Sequence, residues 1–425
     1  MEVLRRKLID GVDLITVSTD KFKTNMMSVS FVSPMQAETL TANALIGEVL
    51  YRGSRNYPDI EALSAATDEL YGMSISPIVR QKGESQCVGF GASFLDDRFV
   101  LNGESILEPA TRLLAEIMLD PVTENGIFRE DYVQSEGMNL ADLIRSEIND
   151  KRGWSIHRVT ELMCEGEAYA LDKYGFAEEA ENMTAEHLWA RYQTLRKEAR
   201  VVFYYSGSAP IDKVERVLRD AFAPIITPRE CAVSCEVIAE PKGEVRSYTD
   251  HMDVTQGKLA LGFRTGGITV DSPYYPALMV CNAVYGGTAT SKLFMNVREK
   301  LSLCYFAASL VDKLKGLMVV SSGVEFSNFE IARDEILKQL DAMKQGDFTE
   351  EDLHVGRQAI ISSLRTMMDS HGRMEDFWMT QMVSGYTETP EALIAKIESV
   401  THEQVRMVAQ KMTLDTIYYL AGEEE

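Results

Sequence analysis

Met183-Thr184-Ala185-Glu186-His187-Leu188-Trp189-Ala190 opens a helix, and Ala199-Arg200-Val201-Val202-Phe203-Tyr204-Tyr205-Ser206-Gly207 is a strand that ends at glycine. Thr184 stands at the N-cap position, where a hydroxyl satisfies one of the orphan N–H groups of the first turn. The plan returns near the C-terminus. Val400-Thr401-His402-Glu403-Gln404-Val405 opens a helix with Thr401 as its cap, half a chain length after Thr184. Asp415-Thr416-Ile417-Tyr418-Tyr419-Leu420-Ala421-Gly422 is the strand, and its glycine follows Gly207 at nearly the same offset. Working outward, Ile127-Phe128-Arg129-Glu130-Asp131 and Asp347-Phe348-Thr349-Glu350-Glu351-Asp352 each start a long helical stretch, and Phe128 and Phe348 keep that offset. An amphipathic helix precedes each, over 106–119 and 329–343, and a β-rich stretch precedes that, over 87–94 and 317–324. Each half begins with a strand, 27–32 or 258–263, that leads into an apolar helix, 41–52 or 274–285. Blocks that recur in the same order at a similar spacing mark a duplicated unit.

The expected fold class follows. Each half mixes strands joined mostly by hairpins with helices packed on one side, so the chain reads as α+β, with two homologous α/β-layer domains. The expected division is 1–225, a linker over 226–245, and 246–425. The stretch from Pro224 to Asp250 holds Pro228, Pro241 and Gly243 among charges, as a connection should.

Composition removes several functions. The 425 residues carry 43 Lys+Arg against 65 Asp+Glu, a net charge of −22. Such a field repels a phosphate backbone and an anionic lipid surface, which excludes nucleic acid and membrane as partners. No uncharged apolar run reaches the ~18 residues of a membrane span. Met1-Glu2-Val3-Leu4-Arg5-Arg6-Lys7 lacks the apolar core of a signal peptide. Cys87, Cys164, Cys231, Cys235, Cys281 and Cys304 include only one close pair, Cys231 and Cys235, with no second pair to complete a four-thiolate zinc site. Free thiols in a reducing cytoplasm are the expectation.

The chemistry is written in Ala42-Asn43-Ala44-Leu45-Ile46-Gly47-Glu48-Val49-Leu50-Tyr51-Arg52-Gly53-Ser54-Arg55-Asn56-Tyr57-Pro58. This stretch resembles the zinc helix of the insulinase/pitrilysin-type metallopeptidases, the inverzincins, which include processing peptidases. There His-x-x-Glu-His is followed by a Leu-Phe-Lys-Gly-Thr-like run and often by Tyr-Pro. Two imidazoles four residues apart share one helix face and one metal, and the carboxylate between them serves the metal-bound water as general base. The flank matches here at Leu50 to Ser54 and at Tyr57-Pro58. The chemistry does not. Ala44 and Glu48 stand at the two histidine positions and Gly47 at the general base. The family's third ligand is a Glu on the following long helix, where Glu136 and Asp142 are both candidates. Gly47 costs about 1 kcal/mol inside a helix relative to Ala, which suggests close packing against a neighbouring backbone. Elsewhere, Glu351/His354, His157/Glu161 and His371/Glu375 read as solvated helix pairs rather than ligands.

The second half keeps its motif. Tyr285-Gly286-Gly287-Thr288-Ala289-Thr290-Ser291-Lys292-Leu293-Phe294-Met295-Asn296-Val297-Arg298-Glu299-Lys300-Leu301-Ser302-Leu303-Cys304-Tyr305 resembles the family pattern of Gly-Gly, Ser-Arg-Leu-Phe, Val-Arg-Glu and Leu-x-Tyr. Lys292 alone departs, for Arg. The resemblance implies that Arg298 and Tyr305 reach the substrate opposite the zinc, as donors to a peptide carbonyl and its oxyanion. From spacing alone the pair also fits a structural role, with Arg298 paired to a carboxylate and Tyr305 beginning a half-buried strand.

The resemblance is to the non-catalytic member of bacterial two-subunit pairs. It implies a catalytically inactive, substrate-binding subunit that binds no cofactor itself. A homologous partner supplies the zinc, and the two enclose an extended peptide. Two other readings stay open: a structural or assembly subunit, as in the core subunits of a respiratory complex, and a peptidase with an unusual metal site.

Overall fold

The computed structural model of the chain describes residues Glu2–Glu423. Two compact units emerge. The first comprises Met1–Arg145, Leu171–Ser234 and Glu375–Met379; the second comprises Ser146–Ala170, Cys235–Met374 and Thr380–Glu425.

The first unit is built on strands β1 (Glu2–Ile9), β2 (Val12–Ser18), β3 (Thr24–Pro34), β4 (Ser74–Lys82), β5 (Ser85–Leu95) and β6 (Arg200–Gly207), in the order β1-β2-β6-β3-β5-β4. The second holds β7 (Arg246–Met252), β8 (Gly257–Arg264), β9 (Cys304–Asp312), β10 (Leu317–Val324) and β11 (Thr413–Gly422), in the order β7-β11-β8-β10-β9. β2 runs parallel to β6, as β7 does to β11, and every other neighbouring pair is antiparallel. With β1 set aside, the two sheets have one topology, and the repeated blocks fall on equivalent strands. The duplicated α+β fold is therefore as expected.

Alternation along β3 explains why each sheet accepts two layers. Met27, Val29 and Phe31 point into the apolar core shared with the helices Ala37–Leu50, Leu107–Leu119 and Ala185–Glu198. Ser28 and Ser30 face the other way, since side chains alternate along a strand, yet both are also buried. β5 fits beside β3 only because residue 89 is glycine: a Cβ there would lie 2.0 Å from the Val29 carbonyl oxygen.

What covers the second faces was not in the linear division. Glu375, fully buried, accepts a hydrogen bond from Ser28 and an ion pair from Arg80, and Lys82 pairs with Asp376. A short piece of the helix His371–Ser384 thus completes the first unit. Reciprocally, the helix Lys151–Met163 lies on β8, β10 and β11, with Val159 in a cluster with Ala260, Val319, Tyr418 and Leu420. These two helices stand at the repeat's own offset, so they are equivalent elements of the two halves. Each contributes to the unit built mainly from the other half of the sequence. A single cut at 226–245 does not describe this division. Nor is that segment slack: Arg229 is buried, donating to the carbonyls of Arg196, Ala199 and Ile225. His371/Glu375 is likewise no solvated pair, because Glu375 is needed by Arg80.

The crossing segment is pinned by buried charge. In the second unit Arg264 donates to Glu167 at 2.8 Å and to Asp415 at 3.0 Å, and Lys315 lies 2.7 Å from Glu167. Burial works against the Glu167 carboxylate, but the hydrogen bonds from Arg264 and Lys315 outweigh it and hold its pKa below the ordinary glutamate value. Both predicted caps are present: Thr184 accepts from His187 N, and Thr401 forms a reciprocal capping box with Gln404.

Candidate functional site

The motif helix Ala37–Leu50 is buried from Leu40 to Leu50 except at Glu48. Ala44 is 1% exposed and belongs to the apolar core. A Cβ on Gly47 would lie 3.1 Å from Pro77 Cβ on β4 and 3.9 Å from the Gly89 carbonyl oxygen. The close approach expected at Gly47 is therefore made chiefly to a side chain. Glu48 reaches solvent, although the surrounding protein still raises its carboxyl above the ordinary value through lost hydration, with the nearby charge of Glu136 adding to the effect.

Glu136 lies on the helix Glu130–Ser146, and each of its carboxylate oxygens accepts a hydrogen bond. Arg52 Nη1 donates to it at 2.5 Å and Asn139 Nδ2 at 2.8 Å. Asp142, on the same helix, faces solvent. The residues do not fit the family's zinc. Ala44, at one of the two ligand positions, has no donor atom, Gly47 offers no general base, and Glu136 is already paired with a guanidinium, which leaves Glu48 alone where a zinc site needs three protein ligands. Among the described residues no group of three or more His, Cys, Asp and Glu side chains forms a metal site. No metal-dependent step can be derived from this helix.

The second-half motif is built differently. The helix Tyr275–Asn282 widens into a π-helical turn, Ala283–Gly287, and a second π-helical segment spans Leu293–Lys300. Wide turns of this kind are rare and concentrate at functional sites. Gly286 is required by β9, since a Cβ there would lie 2.8 Å from Ser309 N. Arg298 projects from the second segment with its side chain 40% exposed. Its guanidinium carbon lies 4.6 Å from the centre of the Phe294 ring, and Nη1 is 3.5 Å from Glu299. Ser302 follows in the left-handed region, φ 49°, which a residue with a Cβ seldom adopts.

Tyr305 then sits at a β-bulge. Cys304 pairs with Val324 and Phe306 with Gly323, so Tyr305 is the extra residue between them. Bulges re-aim side chains, and Tyr305 is 78% exposed. The features that spacing alone allowed are thus also present, since Arg298 pairs with the neighbouring Glu299 and Tyr305 stands at the start of the half-buried β9, but the Tyr305 side chain itself is exposed. The Cys304 thiol beside them is pushed up by burial, partly offset by a hydrogen bond with Ser322 and the charge of Arg298. The π-helical segment packs directly on β9, which brings the two motif elements together. Sequence reading took Phe294 and Arg52 only as parts of the motifs they lie in, and assigned nothing to Glu167. Phe294 was visible within the quoted motif, but its spacing to Arg298 gained meaning only from the helix type.

Comparison with known proteins places this geometry. Residues 182–360 match the family model described as the peptidase M16 inactive domain. The chain is 34% identical, over 415 residues, to the "Probable inactive metalloprotease YmfF" of Bacillus subtilis (strain 168), covering 97% of this chain and 96% of that protein. The chain belongs to the peptidase M16 family. Its fold also matches the crystal structure of a conserved protein from Enterococcus faecalis V583, with a TM-score of 0.90, 27% identity and coverage of 100% and 99% of the two chains. A peptidase M16 inactive domain from Pseudomonas fluorescens shares the fold at a TM-score of 0.79 and 17% identity, over 100% of this chain and 99% of that one. This M16 chain is thus a metallopeptidase homologue, similar along almost its whole length to a probable inactive member. Among its described residues, no helix is long and apolar enough to cross a membrane.

Proposed function

We propose that this chain is the catalytically inactive, substrate-binding subunit of a heterodimeric zinc metallopeptidase. A homologous subunit carrying His-x-x-Glu-His supplies the metal and the general base. This chain supplies Arg298 and Tyr305, which donate hydrogen bonds to the carbonyl of an extended peptide and to the oxyanion formed when water attacks it. The pair works in a reducing cytoplasm, a placement supported by six free cysteines.

One contrast carries the reading. The motif helix has closed over, with Ala44 in the core, while the second-half motif keeps a charged guanidinium and a phenol exposed. A π-helical segment, a left-handed Ser302 and a bulge at Tyr305 are all found within the same short stretch. Irregular backbone of this kind costs stability and is retained where a side chain must be aimed.

The test is cleavage of a fluorogenic peptide by the purified chain alone, by a His-x-x-Glu-His subunit alone, and by the two mixed. Activity is expected only from the mixture. Arg298→Ala with Tyr305→Phe is expected to lower the mixture's kcat/KM by about 10²-fold, the scale of losing an oxyanion donor, while the complex still forms. Zinc-dependent cleavage by this chain alone would falsify the proposal. Unchanged activity of the doubly substituted complex would instead establish an assembly role.

A further inference from the structure

We infer that Phe294 is a positioning residue for Arg298: its ring fixes the guanidinium toward the peptide without neutralising it. This inference rests on the substrate-binding role of Arg298 and names what sets its orientation.

Arg298 pairs with Glu299 and lies against the ring of Phe294, and its charge also reaches the Cys304 thiol. Glu299 is the next residue in sequence, and its carboxylate stands 3.5 Å away with its side chain 50% exposed. Adjacent residues on a helix do not face each other, and exposed ion pairs contribute little. Glu299 therefore does not fix the arginine. Phe294 lies one helical turn before Arg298, is half-buried, and presents its ring 4.6 Å from the guanidinium carbon. A cation is drawn to the negative face of an aromatic ring, and the guanidinium plane stacks there without giving up any of its five N–H donors. A carboxylate in that place would consume the donors and cancel the charge. An aliphatic side chain would leave the arginine free among its rotamers.

The contrast with Arg52 is instructive. That guanidinium lies over the ring of Tyr132 at 4.5 Å but also donates to Glu136, so its charge is spent within the protein. Arg298 has the ring without the buried acid.

The experiment is steady-state cleavage of one fluorogenic peptide by the complex reconstituted with a His-x-x-Glu-His subunit. Phe294→Leu keeps bulk and removes the ring face. It is expected to raise KM or lower kcat/KM by roughly three- to fivefold, the scale of an exposed cation–π contact, and Phe294→Tyr is expected to restore it. In an Arg298→Ala background, Phe294→Leu should then have no further effect. The inference is overturned if Phe294→Leu behaves as the unsubstituted chain while Arg298→Ala is impaired. It is also overturned if the Phe294→Leu defect persists undiminished without Arg298, which marks a packing role. A complex that does not cleave at all, or one that Arg298→Ala leaves intact, removes the substrate-binding reading itself.

Discussion

Ala44 shows how far the motif helix has moved from metal chemistry. A histidine substituted there would enter the apolar core rather than an open site, because the position is already closed. Overpacking a well-filled core costs about 1–3 kcal/mol, so Ala44→His is expected to lower the stability measured by urea unfolding by that amount. At Gly47 two effects oppose. Alanine gains about 1 kcal/mol of helix propensity, but its methyl group would press on Pro77. Gly47→Ala should therefore be near neutral by the same measurement, and a clear stabilisation would mean that Pro77 yields freely. That residues 44 and 47 bring no donor side chain was legible in the sequence, because residue identities alone decide it. The exposure of Tyr305 was not legible, since it depends on a one-residue register shift in β9 that no side-chain pattern announces.

At the scale of elements, the strands and caps were readable from alternation and from Thr184 and Thr401. The exchange of the two crossing helices was not. Lys151–Met163 and His371–Ser384 look like ordinary amphipathic helices, and nothing local says which sheet each will cover. Each crossing piece carries a buried acid, Glu167 or Glu375, matched to a cation on the receiving unit. The folded-state pKa of Glu167 is depressed, so its contribution is full above the ordinary glutamate value, about 4.3. It is lost as pH falls through the lower, folded value. Glu167→Gln is expected to cost about 3–5 kcal/mol at neutral pH, as when one partner of a buried pair is removed. It should also flatten the acid limb of stability against pH. An unfolding midpoint with the same acid dependence as the parent chain would show that Arg264 and Lys315 do not act through this carboxylate.

For the whole molecule, the duplication predicts two sheets, and two sheets are present. It does not predict two separable halves. A fragment of residues 1–225 retains the helix Lys151–Met163, with Trp154 and Ile156 deprived of the β8, β10 and β11 surface they pack on. It also lacks the Glu375–Met379 cover over Ser28 and Arg80. The fragment is expected to bind a hydrophobic dye and to unfold without a cooperative transition. Co-expression with residues 226–425 should restore a soluble complex. Cooperative unfolding of 1–225 alone, with the stability of the intact chain, would contradict the exchange. The charge of −22 belongs to this scale too: if acidic surface favours basic peptides, cleavage of such peptides by the complex should weaken steeply with added salt.

The late arrival of Glu375–Met379 has a consequence for the chain as it is made. All six strands of the first sheet have left the ribosome once Gly207 has emerged, but the piece that buries Ser28 and Arg80 follows only when residue 379 appears. At about 5–20 residues per second, the nascent first unit waits roughly 10–30 s with one face of its sheet uncovered. Through that interval a chaperone has the open face to itself, and ribosome-bound chains stalled before residue 375 should be cut by added protease where longer ones are spared.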